Sequence, residues 1–302
     1  MFIFKLIRYA MEMQLIVLLS IYCKLFNIDK TSKQIGLLSR KLGPKLGISK
    51  RANQNLLKAI PTLNKRKRLE IIRDMWENLG RTSAEFFNIK TLIKEKSRIN
   101  IKGREILEEN KNNGVIYVSG HIANWEIIPI AIKEVDHLVG AVFRESNNYF
   151  FNKWMIQQRK LITKHQFPKG PSGTKEILNF LKDNGSVAML VDQKLSNGVK
   201  ANFFGLNAMT ASTPASLSLK YGYPVVPLKV KRKNGVNFEI EFFDKIEIDK
   251  TGNIDTDILN FTNKINLFLE KIISDKPEEW FWLHNRWDKS CLLYTSPSPR
   301  DS

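Results

Sequence analysis

The chain has 302 residues, 43% of them hydrophobic and 10% aromatic, with only 11 Pro and 16 Gly, so it can bury a real core and is neither disordered, collagenous nor a disulfide scaffold. Its 48 Lys and Arg face 30 Asp and Glu, a net charge of +18, of which residues 1–68 hold +13 because Glu12 and Asp29 are their only acidic members. A basic N-terminal segment beside an apolar stretch points to an anionic membrane surface rather than to nucleic acid, for which a basic patch with interleaved aromatics is missing.

The apolar stretch covers residues 13–28 and is densest from Leu15 to Cys23. Spanning a bilayer takes about 20 such residues, and no small-residue cleavage site follows. Residues 1–28 are therefore expected to be an uncleaved anchor, either tilted through the bilayer with Lys24 snorkelling or lying in the interface; a buried core helix is the alternative. Residues 29–110 read as a basic helical segment packing on the catalytic domain. Within it, residues 64–88 place Leu69, Ile72, Met75, Trp76, Leu79 and Phe86 at helical spacing.

Gly114 then introduces a buried strand at 115–119, and a second strand is expected at 137–143. Helices are expected at 148–161 and at 174–182, the latter stopped by Asn184-Gly185, with a third strand at 186–191. Pro214 at the first turn opens a helix at 213–221, followed by a strand at 224–230. Residues 236–243 alternate and are expected to pair antiparallel at the edge, before a last helix at 255–273. This alternation predicts one α/β domain over residues 111–289, with a mixed, mostly parallel sheet covered by helices on both faces. Residues 290–302 turn abruptly to Ser/Pro usage and are set aside as a non-native tail. Two cysteines, Cys23 and Cys291, encode no disulfide framework and no Cys-based zinc site.

The chemistry concentrates in the segment from Ser119 to Glu126, directly after the first buried strand, because open α/β sheets bind ligands at the carboxyl ends of their strands. Asn124 is a candidate N-cap, which puts Glu126 in the first turn of the next helix. Positions five apart lie about 140° round a continuous helix and could not meet. Across a strand, turn and helix, however, Glu126 can accept from one imidazole nitrogen of His121 and leave the other as a base. No Ser or Cys stands in a nucleophile-elbow context, so a substrate hydroxyl is expected to attack directly.

Further blocks follow in order: Val142-Phe143-Arg144 with Asn147 and Asn148; Arg159; Val191-Asp192-Gln193; Asn202 to Gly205; and the aromatic run from Trp280 to Trp287. Together with Trp76 to Arg81 upstream, they make the chain resemble the late acyltransferases of bacterial lipid A biosynthesis, the lauroyl and myristoyl acyltransferases, over residues 35–288. The resemblance implies transfer of a fatty acyl chain from an acyl-carrier-protein thioester, or acyl-CoA, to a hydroxyl of a lipid A precursor. It places the enzyme at the cytoplasmic face of the bacterial inner membrane and needs no metal or bound cofactor. His121 would be the general base, Glu126 its orienting carboxylate, and Arg159 a donor to the oxyanion or a phosphate grip. Arg144, Asn147, Asn148, Asp192 and Gln193 are expected to bind substrate, Arg144 through a phosphate; Asp192 alternatively caps a turn. The Trp280, Trp282 and Trp287 block reads as core and membrane-interface packing, with His284 and Arg286 structural and His137 and His165 ordinary. The same His/Glu machinery would serve a lysophospholipid, an aminolipid or another glycolipid as acceptor.

Overall fold

A computed structural model describes residues 2–143, 146 and 148–287. Helices come first: α1 (Phe2–Leu25), α2 (Ile28–Leu42), α3 (Ser49–Ala59), α4 (Lys65–Phe87) and α5 (Ile89–Lys94). Asparagines start two of them, since Asn27 accepts from the Lys30 amide ahead of α2 and Asn64 from the Lys67 amide ahead of α4. The close approach of α2 and α4 needs glycine, because a Cβ on Gly80 would lie 2.3 Å from Ser39 Oγ and 2.8 Å from the Ile35 carbonyl.

The body then alternates: β1 (Ile99–Lys102), α6 (Arg104–Asn110), β2 (Ile116–Ser119), α7 (Ile128–Ile132), β3 (Val139–Phe143), α8 (Tyr149–Ile162), β4 (His165–Pro168), α9 (Pro171–Lys182) and β5 (Ser186–Leu190). After the hairpin β6 (Val199–Phe203) and β7 (Leu206–Thr210) come α10 (Thr213–Tyr221), β8 (Val225–Arg232), β9 (Phe238–Phe242) and α11 (Ile254–Asp275). Seven strands form one sheet in the order β1-β9-β8-β2-β5-β3-β4. All neighbours run parallel except β8 and β9. Every residue of β2 is buried, as are the first four of β5, so both faces of the sheet centre are covered. The mostly parallel α/β sheet matches the expected fold class.

Several details differ from the sequence reading, among them β4, which lies where no strand was expected. The strand at 236–243 does pair antiparallel, but it is not the edge, because the short β1 lies outside it in parallel register. β1 comes from the segment expected to be helical, and its four residues carry too little pattern to stand out. The hairpin β6–β7 was not expected either; its turn residues Phe204 and Gly205 both have positive φ, 54° and 72°, as a two-residue type I′ hairpin demands. Among the described residues no helix is long and apolar enough to cross a membrane. The expected anchor instead falls in α1, which buries Tyr9 and Cys23 and exposes Leu15, Leu18 and Leu25. Arg144, Asn147 and the expected tail lie outside the described residues.

Candidate active site

Strand pairing builds the site. β2 and β5 are adjacent with Ser119 opposite Leu190, so His121 and Asp192, each two residues further on, leave the carboxyl end of the sheet side by side. Gly120 lets them close up, since a Cβ there would already be 3.3 Å from the Asp192 carboxylate. The His121 amide donates to Asp192 Oδ2 at 2.9 Å, and its ring Nδ1 lies 2.7 Å from Oδ1. The Trp280 indole N–H completes the shell by donating to Oδ2 at 2.7 Å.

Burial alone would raise the pKa of Asp192, but the charge of His121 and these three donors bring it down to about 2. An ionised carboxylate only accepts, so Nδ1 carries a proton, and in the neutral ring the lone pair then sits on Nε2. The Gln193 amide nitrogen, 3.3 Å from Nε2, matches that tautomer as a donor. His121 keeps 20% of its side chain exposed, edge-on to Trp125 at a centroid distance of 5.1 Å. Among the described residues no serine or cysteine side chain bonds it, and no cluster of three or more His, Cys, Asp or Glu could hold a metal ion.

His121 opens into a cavity of about 500 Å³ beyond the ends of β3 and β5, walled by Phe143, Phe151, Met155 and Ile156 and reached by Arg159 and Gln193. That is the size of a small-ligand pocket. A smaller apolar cavity of about 60 Å³, lined by Ala141, Ile162 and Ala188, shares Trp125 and Arg159 with it.

Three expected assignments change, those of Glu126, Asp192 and Asn148. Glu126 does not meet His121. Ala123 turns the chain with φ of 51°, Asn124 caps the following 3₁₀ turn through the Glu126 amide, and the Glu126 carboxylate faces α8, where Arg159 Nη2 and Nε reach it at 2.5 and 3.1 Å. The carboxylate on His121 is Asp192. Arg159 accordingly spends its fork on Glu126 while lining the cavity. Asn148, expected to bind substrate, is buried and committed elsewhere. Its side-chain oxygen caps α8 at the Phe150 and Phe151 amides, and its nitrogen donates to Glu12 of α1 at 2.8 Å.

Trp280 does more than the packing its aromatic run implies, and its bond to Asp192 has no local signal, because 88 residues separate the two. Trp282 and Trp287 are core side chains, and Arg286 is buried, donating to the Met209 carbonyl and Thr210 Oγ1. His137 is buried beside the Asn113 carbonyl.

A family model described as bacterial lipid A biosynthesis acyltransferase matches residues 4–289. No match was found among curated proteins.

Proposed function

The chain belongs to the bacterial lipid A biosynthesis acyltransferases and is an enzyme that transfers acyl groups, and from that premise we propose a mechanism in which His121 activates an acceptor hydroxyl directly. The observation that carries it is the buried Asp192 carboxylate on His121 Nδ1, which leaves Nε2 as a base at the head of the cavity. A sugar or acyl-chain hydroxyl has a pKa near 15 to 16 and is a poor nucleophile, and positioned base catalysis is worth about 10² to 10⁴ in rate.

In the proposed reaction the hydroxyl oxygen attacks the carbonyl carbon of a fatty acyl thioester while Nε2 takes its proton. Asp192 stabilises the imidazolium so formed. The tetrahedral oxyanion collapses, the carbon–sulfur bond breaks, and the thiolate recovers the proton from Nε2, giving an ester and a free thiol. Arg159, fixed by Glu126, supplies positive charge beside the cavity for the oxyanion or for a phosphate of the substrate. The donor is an acyl-carrier-protein thioester and the acceptor a lipid A precursor. The basic N-terminal segment suits both the acidic carrier and an anionic membrane, where the enzyme works on the cytoplasmic face of the inner membrane.

Purified enzyme offered acyl-carrier-protein and acyl-CoA donors, with a lipid A precursor and a lysophospholipid in parallel, tests this reading. Transfer from the carrier protein to the lipid A precursor, abolished by His121→Ala, is expected. Full activity of His121→Ala would overturn the mechanism, and acylation of the lysophospholipid alone would replace the acceptor.

A further inference from the structure

Ala123 sits between His121 and Glu126 in the left-handed region, a conformation that residues with a Cβ avoid and keep only where the surroundings over-determine it. The surroundings do so here. Its N–H donates to the Glu279 carbonyl at 2.9 Å, and its own carbonyl accepts from Thr82 Oγ1 at 3.0 Å and Asn78 Nδ2 at 3.2 Å. The next residue, Asn124, donates its side-chain amide to Glu85 Oε2 at 2.8 Å.

Asn78, Thr82 and Glu85 lie at i, i+4 and i+7 on α4, hence on one face of that helix. Arg232, at the end of β8, ties the three together: Nε donates to Asn78 Oδ1 at 3.1 Å, Nη2 to Thr82 Oγ1 at 3.3 Å, and the fork grips the Glu85 carboxylate. Because Arg232 fills the acceptor side of the Thr82 hydroxyl, the single hydroxyl proton is left for Ala123. Glu85 is fully buried and Arg232 nearly so, and none of the four side chains lines the cavity. A buried ion pair is weak evidence for stability, since apolar side chains of equal volume often serve as well; what they could not do is fix a carbonyl and an amide of the catalytic turn.

We infer that the Glu85–Arg232 pair, with Asn78 and Thr82, is a positioning device that holds the Ala123 turn so that His121 stays aligned with Asp192. The inference rests on the reading of His121 as the base. Its readout, the hydrogen-bonded Nδ1 proton of His121, nevertheless requires no acyl transfer.

The test compares Thr82→Val, which keeps shape and loses the donor, with Thr82→Ser, which keeps the donor, in the full-length enzyme. Ring-¹⁵N-labelled histidine gives the Nδ1–H resonance, assigned by its disappearance in His121→Ala. We expect Thr82→Val to unfold at a similar temperature, to lose about tenfold in kcat with KM within about twofold, and to shift or broaden that resonance. Thr82→Ser should restore both. Asn78→Ala, which removes the other donor to the same carbonyl, should show the same split. Wild-type kcat and an unmoved resonance in both variants would overturn the proposal. So would losses that merely track loss of folded protein in both. A moved resonance in a protein that acylates no acceptor would keep the positioning role and discard the reaction; transfer unaffected by either variant would do the reverse.

Discussion

Two carboxylates near His121 have separate tasks, and substitution should separate them. Asp192→Asn keeps the shape of the buried site but lets an amide face Nδ1, which favours the tautomer with its proton on Nε2. The matching change in a serine protease triad costs about 10⁴ in kcat, and we predict a loss of about 10³ to 10⁴ here, measured as acyl transfer at saturating substrates. Glu126→Gln retains a hydrogen bond to Arg159 and should cost less. A larger loss from Glu126→Gln than from Asp192→Asn would contradict the assignment. The pH dependence of stability gives a second residue-scale test. Burial, together with the nearby cations, pushes the His284 pKa down to about 4 from an ordinary 6.5, and its Nδ1 has no partner. Between those values the unfolded chain binds the proton and the folded one does not, so His284 lowers stability as pH falls from about 6.5 to about 4. The thermal midpoint should therefore drop less over that window in His284→Asn than in the wild type; an equal drop would remove His284 as the cause. The sequence located His121 because a buried strand followed by Gly-His is a local pattern. It did not reveal the His121–Asp192 bond, which depends on β2 and β5 being neighbours, a pairing of residues 71 apart that only the sheet order decides.

At the scale of elements, the helix pair α2–α4 matters because α4 carries the side chains that bond the Ala123 turn. Gly80→Ala would drive a methyl into Ser39 and the Ile35 carbonyl, and should cost about 1 to 3 kcal/mol in denaturant unfolding. Gly47→Ala, where nothing lies within 4 Å of the added carbon, should change stability by less than about 0.5 kcal/mol. Equal stability of the two variants would mean that the helices separate freely. Long elements were legible in the sequence to within a few residues: α4, α10 and α11 lie where periodicity and the Pro214 start signal put them. Short strands with interleaved polar residues were not: β1 (Ile-Asn-Ile-Lys) and β4 (His-Gln-Phe-Pro) lack the uniformly buried pattern that announced β2 at the same length, and the β6–β7 turn uses Phe204 where an Asn would have announced the hairpin. The antiparallel direction of β9 followed from its alternation, but its inner position depended on the unrecognised β1.

Across the whole molecule, most of the positive charge and many of the exposed apolar side chains belong to the same N-terminal segment. Residues 1–68 hold most of the positive charge, and α1 to α3 expose Leu15, Leu18, Leu25, Leu37, Leu38 and Leu57. Such a surface suits partial insertion into an anionic bilayer, with the leucines in the acyl boundary and the lysines at the headgroups. We predict that the enzyme cosediments with phosphatidylglycerol vesicles and less so as salt rises. Leu15→Glu combined with Leu18→Glu should weaken partitioning at least about tenfold, because each leucine contributes about 1.5 to 3 kcal/mol when buried. Salt-independent binding, or none lost in the double variant, would contradict an interfacial placement.

In the proposed mechanism a buried aspartate, and not the glutamate five residues downstream, makes His121 a base toward a hydroxyl acceptor. Single-turnover transfer of a fatty acyl chain from carrier protein to a lipid A precursor tests it most directly, with His121→Ala, Asp192→Asn and Glu126→Gln run beside the wild type and with intact protein mass read during the reaction. We expect product without any acyl-protein species, no turnover in His121→Ala, and a far slower rate in Asp192→Asn than in Glu126→Gln. A covalently acylated enzyme, or a fast Asp192→Asn variant, would contradict it.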